Sequence, residues 1–338
     1  MKAVGYQKSL PIDDEAALLD IELPKPEPAG RDLLVAVKAV SVNPVDTKVR
    51  RRSAPPPGEF KVLGYDAAGV VEAVGPQVKL FKPGDQVFYA GSNQRSGTNA
   101  EFHLVDERIV GRKPASLDFA PAAALPLTAI TAWELLFDRL KVQPGKSHDP
   151  RTLLIIGGAG GVGSMLIQLA RRLTGLTVVA TASRPESRKW CLELGAHAVI
   201  DHSQKLPPQL AALALPPVAL IASLTGTEQH FPALVEVLAP QGQIGLIDDP
   251  ATLNPMLLKA KSASLHWEAM FARSTFQTDD MIAQHQLLND VADLIDKGVL
   301  RTTLDQSFGT INAANLKRAH ALIESGKAVG KIVLEGWQ

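Results

Sequence analysis

The sequence has little cysteine and no excess charge of either sign. Its single cysteine, Cys191, excludes an intramolecular disulfide bond and lies in a helical pattern, where it is most simply a small core residue. Lys and Arg together number 35, as do Asp and Glu, so no net field attracts nucleic acid or an anionic membrane. Two short basic runs, residues 50–52 and 171–172, are typical of solvated edges or helix faces.

The sequence also lacks an uninterrupted apolar segment. The longest apolar region, residues 119–137, contains Pro121, Pro126 and Glu134 and is not typical of a membrane span. The N-terminal residues 1–20 lack the apolar core of a signal peptide. We therefore expect a cytoplasmic enzyme without a membrane or nucleic-acid partner.

A chain of 338 residues with 46% hydrophobic content predicts two globular domains. In residues 1–121, short alternating segments such as 33–42 and 67–74 are separated by Pro/Gly clusters, which predicts a compact, partly open β-barrel. Residues 43–52 are predicted to form a 3₁₀ or loop stretch that could face a ligand.

From residue 122 onward, predicted strands and helices alternate up to a last strand at Ser264–Trp267. This alternation predicts an α/β fold with a doubly wound parallel sheet. After it come a long helix over residues 278–297 that Gly298 ends, a strand, a helix and a final strand over residues 331–334.

The most informative segment is residues 152–170, where a buried strand is followed by a glycine turn and an amphipathic helix. The turn matches the dinucleotide fingerprint G-x-G-x-x-G at Gly158, Ala159, Gly160, Gly161, Val162 and Gly163. Gly158 is predicted to make the tight turn, Gly160 to let the backbone approach a pyrophosphate, and Gly163 to let helix and strand pack closely. The alternative is a glycine turn with no ligand.

Together with the barrel-like N-terminal part, three motifs resemble the medium-chain dehydrogenase/reductase superfamily over essentially the whole chain. They are LPLTAITAWE at residues 125–134, the glycine turn, and GKIVL at residues 330–334. Residues 41–46, SVNPVD, are similar to its quinone oxidoreductase branch, and residues 64–72 and 264–271 resemble its zinc-type alcohol dehydrogenase-like subgroup. The resemblance implies a GroES-like catalytic domain, residues 1–121 with 274–338, and a Rossmann domain, residues 122–273.

The resemblance also shows where this sequence departs from zinc enzymes. Asn43 stands where they have a cysteine, Gly64-Tyr65-Asp66 stands for their Gly-His-Glu, and no ligating residue lies near Leu127. The four cysteines of a structural zinc lobe are missing as well. We therefore expect no bound metal.

Without zinc to polarise a carbonyl group, alcohol oxidation is difficult, but hydride transfer to an electrophilic quinone, enone or enal remains feasible. The sequence thus predicts a zinc-independent, NADPH-dependent oxidoreductase. Two alternatives stay open: a nucleotide-binding protein with little turnover, and a zinc alcohol dehydrogenase.

The preference for NADP follows from the end of the second strand of the parallel sheet. That strand ends without the acidic residue that binds the ribose diol of NAD, and Ser183 and Arg184 follow it. Lys189 adds positive charge one helical turn later. The alternative is a basic helix turn in solvent, and Glu186 weakens the argument.

The resemblance implies further site residues. Thr131 would contact the nicotinamide; the alternative is a helix N-cap, and the two roles are compatible. Ile247 would lie beside the nicotinamide. His202 would lie near the adenosine or else on the surface. Asn43 would hydrogen-bond cofactor or substrate, or serve as a turn residue before Pro44. Lys331 is a weaker cofactor candidate.

Tyr65 places a phenol where zinc would be held, as a catalytic proton donor or as a packing residue whose hydroxyl meets only water. Trp267, Met270 and Phe271 are expected to line an apolar substrate pocket, or else to pack in the core or a dimer seam. Since related enzymes pair their last Rossmann strands across a twofold axis, the resemblance implies a homodimer through Ser264–Trp267.

Overall fold

The computed structural model describes residues 1–337, and they divide into two compact units. One unit comprises Met1–Ile130 together with the chain from Phe271 onward, and the other is Thr131–Met270. The boundaries between the domains were expected after residues 121 and 273, and the two units of the structure divide after residues 130 and 270.

The first unit is built mainly of β-strands. They are β1 (Lys2–Tyr6), β2 (Leu19–Glu22), β3 (Asp32–Val42), β4 (Lys61–Val62), β5 (Asp66–Val74), β6 (Gln86–Tyr89), β7 (Phe102–Asp106) and β8 (Val110–Arg112), joined later in the chain by β15 (Leu304–Ser307) and β16 (Lys331–Glu335). A seven-stranded sheet has the order β15-β16-β3-β5-β6-β8, with β7 also on β3, and β2-β1-β4 forms a smaller sheet. The larger sheet is open and does not close into a complete barrel, which confirms the predicted partly open architecture.

The second unit contains six parallel strands. They are β9 (Thr152–Ile156), β10 (Thr177–Thr181), β11 (Ala198–Ile200), β12 (Val218–Ser223), β13 (Gln243–Leu246) and β14 (Ser264–Trp267). Their order is β11-β10-β9-β12-β13-β14, with the first strand, β9, in the middle. The chain adds β10 and β11 on one side of β9 and then β12, β13 and β14 on the other side. This is the doubly wound order that brings ligands to the carboxyl ends of the central strands. The predicted doubly wound parallel sheet is confirmed.

Ten α-helices are described. They are α1 (Pro44–Arg52), α2 (Phe119–Ala123), α3 (Pro126–Trp133), α4 (Gly161–Leu173), α5 (Pro185–Glu193), α6 (Leu206–Ala212), α7 (Thr227–Val237), α8 (Ala272–Phe276), α9 (Ala283–Asp296) and α10 (Ala313–Glu324). A π-helical segment, Glu134–Arg139, follows α3 directly. The stretch Phe119–Arg139 is long and apolar enough by composition to cross a membrane, but 83% of its most apolar window is buried in the structure, as in a core helix.

The prediction of a 3₁₀ or loop stretch at residues 43–52 was wrong, because α1 occupies it. Asn43 is the N-cap, Pro44 takes the first helical position, and the Asp46 carboxylate accepts the backbone N–H of Asn43 at 2.8 Å. Proline at the first position and an acidic residue at the third are helix-start signals. These signals were overlooked because the segment between β3 and β4 is short and polar.

Candidate active site

In the glycine turn between β9 and α4, Gly157, which directly precedes the fingerprint, also has a conformational role. Gly157 has φ +81°, whereas Gly158 does not have a positive φ. A Cβ on Gly158 would lie 2.7 Å from the Cβ of Ala180 and 3.1 Å from the Sγ of Cys191. The expectation that Gly158 makes the tight turn is therefore corrected: Gly157 takes the left-handed conformation, and Gly158 is small because β10 and α5 pack against it.

Gly163 has no room for a side chain, whereas Gly160 does. A Cβ on Gly163 would lie 2.5 Å from the carbonyl oxygen of Gly157, so helix and turn approach as closely as the fingerprint requires. Gly160 is the N-cap of α4, and a Cβ there would meet only the Gly157 oxygen, at 3.6 Å. Ala159 is buried beside it. The first backbone N–H groups of α4, from Gly161, Val162 and Gly163, have no intrahelical acceptor and can bind an anion.

Substituting Gly163 and Gly160 separately distinguishes packing from ligand binding. Gly163→Ala is expected to lower the free energy of unfolding by about 1–3 kcal/mol, because its methyl group overlaps backbone atoms of the turn. Gly160→Ala is expected to leave the melting temperature nearly unchanged and to weaken dinucleotide binding, because its methyl group extends over the helix N-terminus. Thermal denaturation and fluorescence titration with NADPH check both; equal melting temperatures for the two variants would contradict this assignment.

The end of β10 carries the residues predicted to select the cofactor. Ser183 is exposed, and Arg184, at the N-cap of α5, pairs through Nε with Glu186 at 3.3 Å. This exposed pair holds the guanidinium only weakly. The Lys189 side chain is 77% exposed and lies 3.8 Å from Glu193, one turn further along α5.

His202 connects to the glycine turn through Thr181. The Thr181 hydroxyl oxygen accepts the N–H of Gly157 at 3.0 Å and lies 3.0 Å from Nδ1 of His202. The His202 ring also makes an edge contact with the ring of His230, with centroids 6.1 Å apart. His202 is thus fixed at the carboxyl edge of the sheet and is only partly buried.

Two residues predicted to lie near the nicotinamide are also placed. Ile247 directly follows β13 and is half-buried. Thr131 is buried inside α3, so the alternative role as a helix N-cap is wrong, because α3 begins five residues earlier, at Pro126.

In the other unit, a buried polar cluster surrounds Asp66 at the start of β5. One carboxylate oxygen of Asp66 accepts hydrogen bonds from the Ser41 hydroxyl at 2.9 Å and the Asn43 side-chain amide at 2.8 Å, and lies 3.1 Å from Nζ of Lys331. The other accepts the backbone N–H of Leu127 at 2.7 Å. Asp66 itself is fully buried. Sequence reasoning missed this cluster as a unit.

Lys331 and Asn43 use their polar groups within this cluster. The Lys331 ammonium donates to the carbonyl oxygen of Val42 at 2.9 Å and to Oδ1 of Asn43 at 2.5 Å, and it pairs with Asp66. Burial lowers the pKa of Lys331, and the Asp66 and Asp46 carboxylates oppose that shift. With three acceptors for three N–H bonds, Lys331 acts here as an internal counterion.

The cluster does not fit a catalytic zinc ion. Zinc sites need three protein ligands with free nitrogen, sulfur or carboxylate donors. Here Asn43 and Asp66 are engaged by a buried ammonium group, and Leu127 offers only its backbone N–H. Within residues 1–337, no three His, Cys, Asp or Glu side chains are grouped so that they could hold a metal.

Tyr65 lies between Gly64 and Asp66, and only 4% of the residue is exposed. Its ring packs on that of Phe271, with centroids 4.9 Å apart. Its hydroxyl oxygen has no hydrogen-bond partner among residues 1–337. Burial and the neighbouring Asp46 raise the pKa of Tyr65 above its usual value. The phenol therefore stays protonated and has a hydrogen to donate.

The other predicted pocket residues differ in exposure. Trp267 ends β14, an edge strand, and is 57% exposed, whereas Met270 is buried. Beside them is a pair that sequence reasoning missed: Glu268 follows β14 directly and is buried with Glu134 of the π-helical segment. Burial and the neighbouring Glu134 carboxylate raise the pKa of Glu268, while Arg139, 2.8 Å away, opposes the shift.

Two family models and several known proteins match this chain. A model of the alcohol dehydrogenase GroES-like domain matches residues 29–115, and a zinc-binding dehydrogenase model matches residues 194–334. A zinc-type alcohol dehydrogenase-like protein of Staphylococcus aureus (strain MSSA476) is 41% identical over 99% of both chains. An NADPH-dependent alkenal/one oxidoreductase of Arabidopsis thaliana is 38% identical over 61% of this chain and 53% of its own length.

Solved structures agree with these relatives. A crystal structure from Rhizobium etli CFN 42, named for a zinc-dependent alcohol dehydrogenase, is 61% identical, with a TM-score of 0.96 over 100% of this chain and 98% of that one. Escherichia coli quinone oxidoreductase complexed with NADPH is 25% identical, with a TM-score of 0.85 over 99% and 100%.

An open β unit together with a doubly wound sheet and its glycine turn defines a medium-chain dehydrogenase/reductase. Within that superfamily, the chain belongs to the zinc-type alcohol dehydrogenase-like proteins. It is accordingly an oxidoreductase.

Proposed function

We propose that this protein is a zinc-independent reductase that transfers a hydride from NADPH to a quinone or an activated alkene. The observation that carries the proposal is that a buried ammonium group, Lys331, engages Asn43 and Asp66, which by resemblance stand at zinc-ligand positions, while the hydroxyl of the adjacent Tyr65 has no hydrogen bond to another residue among 1–337. The Arabidopsis alkenal/one oxidoreductase and the Escherichia coli quinone oxidoreductase support the same chemistry, whereas the zinc-type alcohol dehydrogenase relatives favour another.

The chemistry assigned to the chain follows from its donors. A quinone or enal is already electrophilic, so it needs placement and a hydrogen-bond donor for the oxyanion that develops on reduction. We assign that donation to Tyr65, whose phenol remains protonated at neutral pH. Trp267, Met270 and Phe271 are proposed to line the apolar substrate pocket.

The cofactor would be held by residues of the second unit. We assign the pyrophosphate to the N-terminus of α4, the 2′-phosphate to Ser183 and Arg184 with Lys189 nearby, and the adenosine side to His202. Thr131 and Ile247 are assigned to the nicotinamide side. When bound, NADPH supplies the hydride. Lys331, with its ammonium engaged by three acceptors, is assigned to the cluster rather than to the cofactor.

We further propose a homodimer in the cytoplasm. Among residues 1–337, the edge strand β14 pairs with one neighbour only, β13, and its exposed Trp267 would be covered if a second copy continued the sheet. The molar mass in solution, measured by light scattering, tests this proposal.

Initial rates with a matched set of acceptors test the proposed activity. The purified protein is assayed with NADPH and an ortho-quinone, an enal, the corresponding saturated aldehyde, and the corresponding alcohol with NADP. Turnover of the quinone or the enal, with neither the aldehyde nor the alcohol used, supports the proposal. Turnover of aldehyde and alcohol alone would indicate an alcohol dehydrogenase, and NADPH binding without turnover of any of them would indicate a binding protein.

A further inference from the structure

Asp46, at the third position of α1, accepts two backbone N–H groups from two different segments. One carboxylate oxygen accepts the N–H of Asn43 at 2.8 Å, and the other accepts the N–H of Gly64 at 3.0 Å. The residue is only 1% exposed. One buried carboxylate therefore joins the start of α1 to the residue that directly precedes Tyr65.

The backbone around Tyr65 is fixed on both sides. Gly64 has φ +99°, and a Cβ on it would lie 2.5 Å from the Thr98 hydroxyl oxygen. On the other side, Asp66 is held by the backbone N–H of Leu127 and by Lys331. The Tyr65 side chain itself has no hydrogen bond to hold its hydroxyl among residues 1–337. Its orientation therefore depends on the flanking backbone and on ring packing.

We propose that Asp46 is a positioning residue: by accepting the amide hydrogens of Asn43 and Gly64, it sets the backbone turn that presents the Tyr65 hydroxyl to the substrate. This inference rests on the proposed function, in which Tyr65 donates to the oxyanion. It adds that the donor is held in place by a group that does not touch the substrate.

The charges around Asp46 make this positioning dependent on pH. The titratable groups that face it are Lys331 on β16, Asp66 on β5 and the phenol of Tyr65, so one ammonium group is shared by two carboxyl groups. Burial raises the pKa of Asp46 to about 7, with Asp66 adding to the shift and Lys331 and the two amides opposing it. The ionised form accepts both amides, whereas protonation removes acceptor strength from one oxygen. The turn is thus fixed above the pKa and loosened below it.

The pH dependence of kcat/KM tests the inference. In the wild type, kcat/KM for the quinone is expected to rise through an inflection near the pKa of Asp46. In Asp46→Asn, kcat is expected to fall about tenfold, with little change in KM and with the inflection lost, because the amide nitrogen of asparagine cannot accept a backbone N–H. In a Tyr65→Phe background, Asp46→Asn is expected to cause no further loss.

Asp14→Asn is the matched control, because Asp14 also accepts a backbone N–H, from Ala16, but lies on the surface. It should keep the wild-type kcat and pH profile. The inference is overturned if Asp46→Asn retains the neutral inflection, or if its loss in kcat multiplies with that of Tyr65→Phe.

A measurement independent of activity separates this inference from the proposed function. In the wild-type protein, the ¹H–¹⁵N resonance of Gly64 is expected to titrate with the Asp46 carboxyl group, because the two are directly hydrogen-bonded. If no acceptor is turned over, the proposed function fails, and this titration alone decides whether Asp46 controls the turn. A Gly64 amide whose shift is constant across neutral pH would overturn the inference, even if Asp46→Asn does not fold.

Discussion

Tyr65→Phe is expected to lower kcat for quinone or enal reduction about a hundredfold, the usual size of a lost proton donor. The phenyl ring keeps its packing on Phe271, so KM for the acceptor and the melting temperature should change little. Since burial and Asp46 raise the pKa of the phenol, its ionisation should cause no loss of wild-type activity between neutral pH and the usual pKa of tyrosine. Steady-state kinetics over that range measure both expectations.

Tyr89→Phe is the control for removing a buried phenol from the same unit. The Tyr89 hydroxyl lies 3.1 Å from Nδ1 of His103, so it already has a partner inside the protein. This variant should lose stability while its kcat stays close to that of the wild type. A Tyr65→Phe enzyme with unchanged kcat would show that the phenol only packs, and the oxyanion would then need another donor.

The second large effect is expected at the end of β10. Ser183→Asp with Arg184→Ala should raise KM for NADPH by about 10–100-fold, because a carboxylate replaces the groups assigned to the 2′-phosphate. The same carboxylate can accept hydrogen bonds from the ribose hydroxyls, so KM for NADH should fall. Initial rates with both cofactors give the change in preference directly.

Lys259→Gln provides the control for a simple loss of positive charge. Lys259 is an exposed residue of the same unit, outside the glycine turn and the end of β10. It should leave both KM values unchanged. If the double variant keeps the wild-type ratio of the two KM values, the phosphate is bound elsewhere or NAD is the natural cofactor.

Local sequence patterns predicted the architecture because its signals lie within single elements. The fully buried strand β9, the glycine turn and the helix α4 are adjacent in the chain, so their spacing fixed the type of unit. Alternating hydrophobicity likewise predicted β3 and β5 nearly to their ends. The role of Gly158 was mistaken because Gly157 also offers a left-handed turn, and only packing against Ala180 decides between them.

The polar cluster escaped prediction for the opposite reason. Lys331 and Asn43 lie 288 residues apart in the chain, and their contact depends on the antiparallel pairing of β16 with β3. No periodicity links such residues. The Asp46–Gly64 bond and the Glu134–Glu268 pair are also long-range contacts that only the folded chain reveals. Sequence and resemblance identified Tyr65 and Asn43 as unusual, but not the groups that hold them.

The most direct test of the account is the rate of NADPH-dependent quinone reduction by enzyme from which metals have been removed. The protein is dialysed against a chelator, its zinc content is measured, and the rate is compared before dialysis, after dialysis, and after zinc is added back. Because Asn43 and Asp66, which by resemblance stand at zinc-ligand positions, are both engaged by the Lys331 ammonium group, we expect full activity without stoichiometric zinc and no gain on adding it. Activity lost on chelation and restored by zinc would contradict it.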